Sequence, residues 1–515
     1  MQHQITLQPV GTTLTAEHGS LLKELLFEHS VEFPCGGQGR CRGCRVRITS
    51  GHMAINNAQR ERLSESELAE GWRLACQCRI EGEITLELRQ WDASILTNDS
   101  DFQFTPQEGL GVAVDIGTTT VVAQLLDMQT GAVLAVRTGL NPQARYGGDV
   151  MSRVQYAVAE QGAGTLQDAI TRQVGALLHQ LVSIANVDAA RIRRVVLAGN
   201  TVMHHLFCGI DLEPLSHYPF EPVDDGLQRL TAEQIHWDIG IAPNAVIEFL
   251  PCMGSFVGSD ILAGVLATGM HTQEAVSLLV DLGTNGEIVL GNRERLLCAS
   301  TAAGPAFEGA RISMGMRAAT GAIWKVLKPT EDSGDAPICE VLGSGVPTGL
   351  CGSGLVDAVA VGLDMGRIKP SGRFAGCTTL DLLSPVTITQ TDIRELQLAK
   401  GAIAAGIRIL LNRWGISAES LEHIYLAGAF GNYIDRHSAR RIGLLDFDPD
   451  RVQPVGNSAL LGAKIALFTA AETVADGQES GNSEQNDIIG RTTHISLTSD
   501  PAFQDIYVDC MGFPA

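Results

Sequence analysis

Four cysteines and two aspartate-led turns carry most of the chemistry available to this chain. Cys35, Cys41 and Cys44 sit in one short loop with gaps of five and two residues, and Cys76 follows from a distant segment. Thiolates are soft, anionic donors, and three from a tight loop with one from elsewhere can enclose a two-iron cluster. Gly36, Gly37, Gly39 and Gly43 let such a loop turn sharply and aim its N–H groups at sulfide. Arg40, Arg42, Arg45 and Arg47 interleave with the ligands, where they can soften the cluster's negative charge or steer an acidic partner. Structural zinc is the alternative, because four-cysteine zinc sites also use Cys-x2-Cys spacing. Cys78 competes with Cys76 for the fourth position, and its Arg-Ile flank favours Cys76.

The second chemistry is phosphate binding. Asp115-Ile-Gly-Thr-Thr-Thr120 and Asp281-Leu-Gly-Thr-Asn-Gly-Glu287 repeat one device: a buried strand, an Asp-hydrophobic-Gly-Thr turn, and a following strand. Gly117 and Gly283 let backbone approach a phosphate. Thr118, Thr119, Thr120 and Thr284, with the N–H groups of Asn285 and Gly286, donate to its oxygens, while Asp115 and Asp281 hold hydrated Mg²⁺. Glu287 either orients water or metal for phosphoryl transfer or is a solvated carboxylate. Gly304, in Ala302–Glu308, and the turn Gly349–Gly354 can line the same cleft, with ordinary loop geometry as the alternative. His204 and His205 are adjacent on an expected helix and diverge, so one should pack and the other be exposed. Neither is assigned a metal.

Elements must position these groups. An alternating strand at Ile84–Leu88, strands near Ile5–Leu14 and Val46–Ile48, and a short helix at Leu21–His29 make a small mixed unit, 1–90. Residues 91–110 read as a polar linker. The duplicated turns define two α/β halves, 111–274 and 275–515, closing over a ligand. Helical patterns cover Leu166–Ala185, Gly254–Thr268, Gly354–Met365 and Asp392–Leu411. The stretch 476–487 reads as a mobile surface loop and Tyr507–Phe513 as a returning strand.

Composition narrows the function. The chain has 515 residues, 45% apolar and 18% charged, enough for several packed cores. A net charge of -21 argues against nucleic acid or anionic membrane as partner. No secretory signal and no apolar run near the roughly 20 residues of a membrane span are found, so a cytoplasmic protein is expected. Most of the twelve cysteines outside the cluster set sit singly, which fits a reducing compartment.

The x5 gap, the glycines and Leu74-Ala-Cys76-Gln together resemble the β-grasp [2Fe–2S] ferredoxins of the adrenodoxin kind. The aspartate turns resemble the phosphate motifs of the sugar kinase, heat-shock chaperone and actin superfamily. Leu426-Ala-Gly-Ala-Phe-Gly-Asn432 looks like that superfamily's adenosine loop, which would place Gly428, Ala429, Phe430, Gly431 and Asn432 beside adenosine. The expected fold is therefore a β-grasp ferredoxin domain, α+β, followed by a duplicated actin-like (ribonuclease H-like) α/β ATPase core.

The full order of parts is similar to the reductive activators of corrinoid proteins, iron–sulfur ATPases that restore cobalt(II) corrinoids to cobalt(I). Asn141-Pro-Gln, Tyr146-Gly-Gly-Asp149, Leu197-Ala-Gly-Asn-Thr201 and Ala303-Gly-Pro305 add to the likeness. The connection from Leu88 to Gly111 is short beside the larger linker domain of some members. The resemblance implies a [2Fe–2S] cluster, ATP and Mg²⁺ as cofactors. Its implied partners are a corrinoid protein or cobalamin-dependent methyltransferase and an external low-potential electron donor, with homodimerisation possible. A small-molecule kinase with a redox-sensing ferredoxin module, an ATP-dependent donor to another low-potential enzyme, and a nucleotide-gated binding module are the competing readings.

Overall fold

The computed structural model describes residues 2–8, 12–27, 44–87, 102, 104–330, 335–343, 346–431, 433–469, 472–473, 479–480 and 483–515. Its first unit is a five-stranded mixed sheet. Gln2–Gln8 pairs antiparallel with Thr12–Glu17 and parallel with Ile84–Glu87, and Arg45–Ser50 and Trp72–Leu74 complete the far edge. Alternation turns Ile5, Leu7, Val46, Ile84 and Leu86 inward, where they pack with Leu22 and Leu26 of the helix Leu22–Phe27. That is the β-grasp arrangement expected from the strand pattern.

Two six-stranded sheets follow. In the first, Leu110–Ile116, Thr120–Asp127 and Val133–Leu140 form an antiparallel meander, and Leu110–Ile116 pairs parallel with Ile192–Gly199. In the second, Ser277–Leu282, Gly286–Gly291 and Leu296–Thr301 repeat the meander, and Ser277–Leu282 pairs parallel with His423–Ala427. Central strands such as Leu110–Ile116 are near-continuous apolar runs because helices cover both faces. Each half has its own core on one face of its sheet.

A third core fuses the halves. It is built on the helices Ser259–Thr268 and Ser458–Phe468, which pack against each other, the latter also lying on the first half's strands Leu110–Ile116 and Ile192–Gly199. Gly462 permits the close crossing, since a Cβ there would sit 1.9 Å from the Ala263 carbonyl oxygen. The N-termini of both helices open on the cleft between the halves.

Several local expectations change. Phe503–Met511 is a helix, with Phe503 and Tyr507 stacked one turn apart and the whole lying against Gln390–Trp414. The 3–4 spacing of Phe503, Ile506 and Tyr507 outweighs the β-propensity of Tyr507 and Val508. Of 476–487, residues 476–478 and 481–482 lie outside the described residues, 479–480 pair with 472–473 as a two-residue strand, and 483–487 begin the helix Ser483–Gly490, whose Ile488 is buried. Phe102 and Phe104, placed in the linker, pack on Phe468. His204 and His205 are both fully buried, because Thr201–Cys208 is enclosed on every side. No helix among the described residues is long and apolar enough to cross a membrane.

Candidate nucleotide and cluster sites

The two aspartate turns face one cavity of about 360 Å³ between the halves, within the size range of ligand pockets. Asp115, Gly117, Thr118, Thr119 and Thr120 line it from one side, and Asp281, Gly283, Thr284, Asn285 and Glu287 from the other. Each turn is closed by its glycine N–H, over different spans: Gly117 N–H donates to the Thr120 carbonyl three residues on and Gly283 N–H to the Asn285 carbonyl two residues on, each at 3.0 Å. Register places Asp115 beside Ala198 and Asp281 beside Ala427 on the adjoining parallel strands. Those strands end in Leu197-Ala-Gly-Asn200 and Leu426-Ala-Gly-Ala429, a second duplication that the sequence reading did not pair.

Gly428 is a glycine of necessity. Its φ is +88°, and a Cβ would lie 2.6 Å from the Leu282 carbonyl oxygen and 2.7 Å from the Asp281 carboxylate. The expected adenosine loop is thereby packed directly on the second phosphate turn. Phe430 lines the cavity and stacks on Phe307 with ring centroids 4.7 Å apart, forming an aromatic platform beside Tyr433. The side chain of Ala429 and all of Asn432 lie outside the described residues. Three expected contacts do not reach the cavity. Gly286 faces Ile403 and Thr301, Gly431 packs on Leu426, and Gly304 only leads into the turn Pro305–Glu308, which presents Phe307 and Glu308 instead.

Several lining residues were missed from sequence. Asn457 caps the helix Ser458–Phe468 and donates to Asp115 at 2.9 Å, and Asn200 caps Thr201–Cys208 and donates to the Thr118 hydroxyl at 3.0 Å. Asn before an apolar helical run is a readable N-cap signal. Asp260 is the most consequential omission. The sequence pattern places this helix over Gly254–Thr268, with Asp260 mid-helix; the helix begins at Ser259, so Asp260 stands in the first turn at the cavity. Arg317 joins the far wall, where Cys351, Gly352 and Ser353 of the expected turn Gly349–Gly354 line the cavity.

Four carboxylates converge here. Burial raises Asp115 to about 6, against the Asn457 hydrogen bond that lowers it. Burial and then the Asp115 charge raise Asp281 to about 7. Burial, then Asp281 and Asp115, raise Asp260 to about 8. Glu287 is pushed well above its ordinary range by burial, then by Asp260 and Asp281. Such a group cannot ionise fully without a compensating cation, which fits a hydrated divalent metal brought with a phosphate ligand.

The first turn is braced by residues of its own half. Asn141 N–H donates to the Thr119 carbonyl at 2.8 Å and its amide to the Gly117 carbonyl at 3.0 Å. Arg153, fully buried, donates to the Thr118 and Gly147 carbonyls and to Gln143. Asn141-Pro-Gln and Tyr146-Gly-Gly-Asp149 thus supply the scaffold of the first aspartate turn.

Of the four expected cluster ligands, Cys35 and Cys41 lie outside the described residues. Cys44 and Cys76 are both buried. Arg45 stands opposite Leu74 in the strand pair, and Ala75 N–H donates to the Cys44 carbonyl at 3.0 Å, so the two cysteines occupy neighbouring positions at one end of the sheet. Cys78 instead donates to the Leu74 carbonyl at 3.3 Å, and burial pushes its thiol up to about 12. A thiol held neutral in the core is a poor ligand, whereas the Cys44–Cys76 pair suits soft-metal binding.

Comparison with known proteins agrees with this layout. Residues 5–81 match the 2Fe-2S iron-sulfur cluster binding domain, 110–273 the RACo middle region, and 275–515 the C-terminal domain of RACo, the ASKHA domain. The chain is 36% identical over 427 residues to the corrinoid activation enzyme RamQ of Eubacterium limosum, covering 77% of this chain and 69% of that protein. It is 29% identical over 390 residues to the [Co(II) methylated amine-specific corrinoid protein] reductase of Methanosarcina barkeri, covering 69% of each. A solved reductive activator for corrinoid, iron-sulfur protein superposes with a TM-score of 0.68 at 28% identity, covering 99% of this chain and 98% of that one. The chain belongs to the family of reductive activators of corrinoid proteins.

Proposed function

We propose that this protein is an ATP-dependent reductive activator that passes single electrons to the cobalt(II) corrinoid of a partner protein, restoring cobalt(I). The observation that carries this reading is the union, in a chain related to corrinoid activators over most of its length, of the Cys44–Cys76 pair with a cleft where Asp115 and Asp281 meet. A [2Fe–2S] cluster held by Cys35, Cys41, Cys44 and Cys76 supplies one-electron storage at about -400 mV. Cobalt(I) is harder to reach, and each gap of roughly 100 mV costs about 2.3 kcal/mol per electron. An external low-potential donor reloads the protein, and nucleotide supplies the difference through a change of shape.

In this reading Thr118, Thr119, Thr120 and Thr284 donate to the phosphates of ATP, and Asp115 and Asp281 hold hydrated Mg²⁺ between the jaws. Phe430 and Tyr433 flank the base. With a bound divalent cation compensating the buried charge, Glu287 or Asp260 would ionise and take up one proton from the attacking water. No phosphoryl group travels to the corrinoid.

The test is a cobalamin absorption spectrum of a cobalt(II) corrinoid protein mixed anaerobically with the reduced protein. Cobalt(I) bands appearing only with MgATP, with free phosphate as the product, are expected. Equal cobalt(I) without nucleotide, or a phosphorylated metabolite in place of phosphate, overturns the reading.

A further inference from the structure

The β-grasp unit touches both halves of the ATPase core, each time beside the nucleotide cleft. On the first half, Ala144 packs against the core of the β-grasp unit, and Arg145 donates to the Glu24 carbonyl at 3.4 Å. These residues lie three and four positions after Asn141, which braces the first phosphate turn. On the second half the contact among the described residues is Arg45, the residue after Cys44. Its guanidinium donates to the Thr348 carbonyl at 3.1 Å and lies 3.7 Å from the Met316 sulfur, while Glu67 at 3.1 Å and the Trp72 ring at 5.8 Å fix it within its own domain.

Both segments that Arg45 reaches run straight into the cleft. Met316 is followed by Arg317, and Thr348 precedes the strand Gly349–Leu350 and then Cys351, Gly352 and Ser353; Arg317, Cys351, Gly352 and Ser353 line the cavity. Met316 N–H donates to the Leu350 carbonyl at 2.9 Å, so the two segments move as one. Gly352 abuts the aromatic platform, since a Cβ there would meet the Phe307 carbonyl oxygen at 1.9 Å and the Phe430 ring at 3.0 Å.

We infer that Arg45 is a positioning residue that ties Cys44 to the second jaw, so that nucleotide occupancy of the cleft sets the orientation of the cluster domain. A forked guanidinium suits this task because it holds Glu67 and the Thr348 carbonyl at once, which an ammonium does with less directional control. A domain bonded to both jaws must follow the cleft when it opens or closes. The inference rests on the reading of the cleft as a nucleotide site and of Cys44 as a cluster ligand.

The test uses full-length, cluster-reconstituted protein and compares wild type with Arg45→Met. Iron content, nucleotide Kd, the visible circular dichroism of the cluster with and without a non-hydrolysable Mg-ATP analogue, and the MgATP stimulation of cobalt(II) corrinoid reduction are measured. The analogue is expected to change the wild-type dichroism. Arg45→Met should keep iron content and Kd within about twofold, lose that spectral response, and lose at least about tenfold in MgATP stimulation. Arg45→Lys should recover part of the response. If Arg45→Met loses iron, Met316→Ala makes the same test from the far side of the contact, with a smaller loss expected. A full nucleotide response in these variants, or none in wild type, overturns the inference. If wild type reduces no corrinoid yet shows a nucleotide response that Arg45→Met abolishes, the coupling stands and the proposed function falls; if MgATP stimulates Arg45→Met fully, the reverse holds.

Discussion

The two aspartate turns share a sequence device but are supported unequally. The first is held by Asn141, Arg153 and Asn200 of its own half, each itself fixed by capping or burial, and by Asn457 of the second half, which donates to Asp115. The second is bonded from the Thr284 hydroxyl to Glu308, from the Thr301 hydroxyl to the Gly286 carbonyl at 3.2 Å and from the Ser300 hydroxyl to Glu287 at 3.4 Å, all of them neutral donors, and rests on Gly428 of the adjoining loop. The first turn is thus a fixed jaw with its geometry set before ligand arrives. The second is linked to the aromatic platform and to the segments touching Arg45, so it is the jaw whose position can report occupancy.

The strongest challenge to that comparison is at the metal. Asp115→Asn keeps the Asn457 contact within reach but removes the charge, and steady-state phosphate release should fall by at least about 100-fold. A fall below about tenfold would mean that Asp281 alone organises the metal, and that the two jaws are not equivalent in chemistry.

A second test contrasts the braces. Arg153→Met leaves the half-buried Thr118 and buried Gly147 carbonyls without their Arg153 donor, and chemical denaturation should register a loss of about 2–4 kcal/mol together with a raised KM for ATP. Glu308→Gln, which touches the second turn, should cost less than about 1 kcal/mol. Equal losses would remove the distinction between a fixed and an adjustable jaw.

A smaller effect follows from the carboxylate cluster. Asp260 has a folded pKa raised to about 8, above the unfolded carboxylate value, so its contribution to stability is complete below the unfolded pKa and is lost as pH rises through about 8. In nucleotide-free protein with chelator, Asp260→Asn should therefore melt a few degrees higher than wild type at pH 8.5, with little difference at pH 5. MgATP should reverse the order by stabilising wild type more. An Asn variant no more stable at pH 8.5 than wild type would show that Asp260 stands clear of the other carboxylates.

Much of this layout was legible because it is written in local patterns. Strands ending in Asp-x-Gly-Thr, alternating Ile84–Glu87, and the Cys44 and Cys76 settings each carry their own signal. Contacts that depend on tertiary crossing were not legible. Asp260 required the true start of its helix, and nothing along the sequence distinguishes Arg153 from a surface arginine, although it is fully buried. His204 and His205 were misjudged because divergence on a helix implies exposure only when one face of that helix meets solvent. The strand expected at Tyr507–Phe513 failed for a related reason: its partner is a long helix, and helical spacing alone lets it lie there.

The claim that nucleotide turnover in the cleft drives electron delivery is tested most directly with Asp281→Ala, reconstituted to the same reduced-cluster content as wild type. Cobalt(I) formation on a corrinoid protein is followed by absorbance after adding MgATP. The account predicts that Asp281→Ala loses phosphate release and MgATP-dependent cobalt(I) formation together. Loss of phosphate release with cobalt(I) formation undiminished would contradict it.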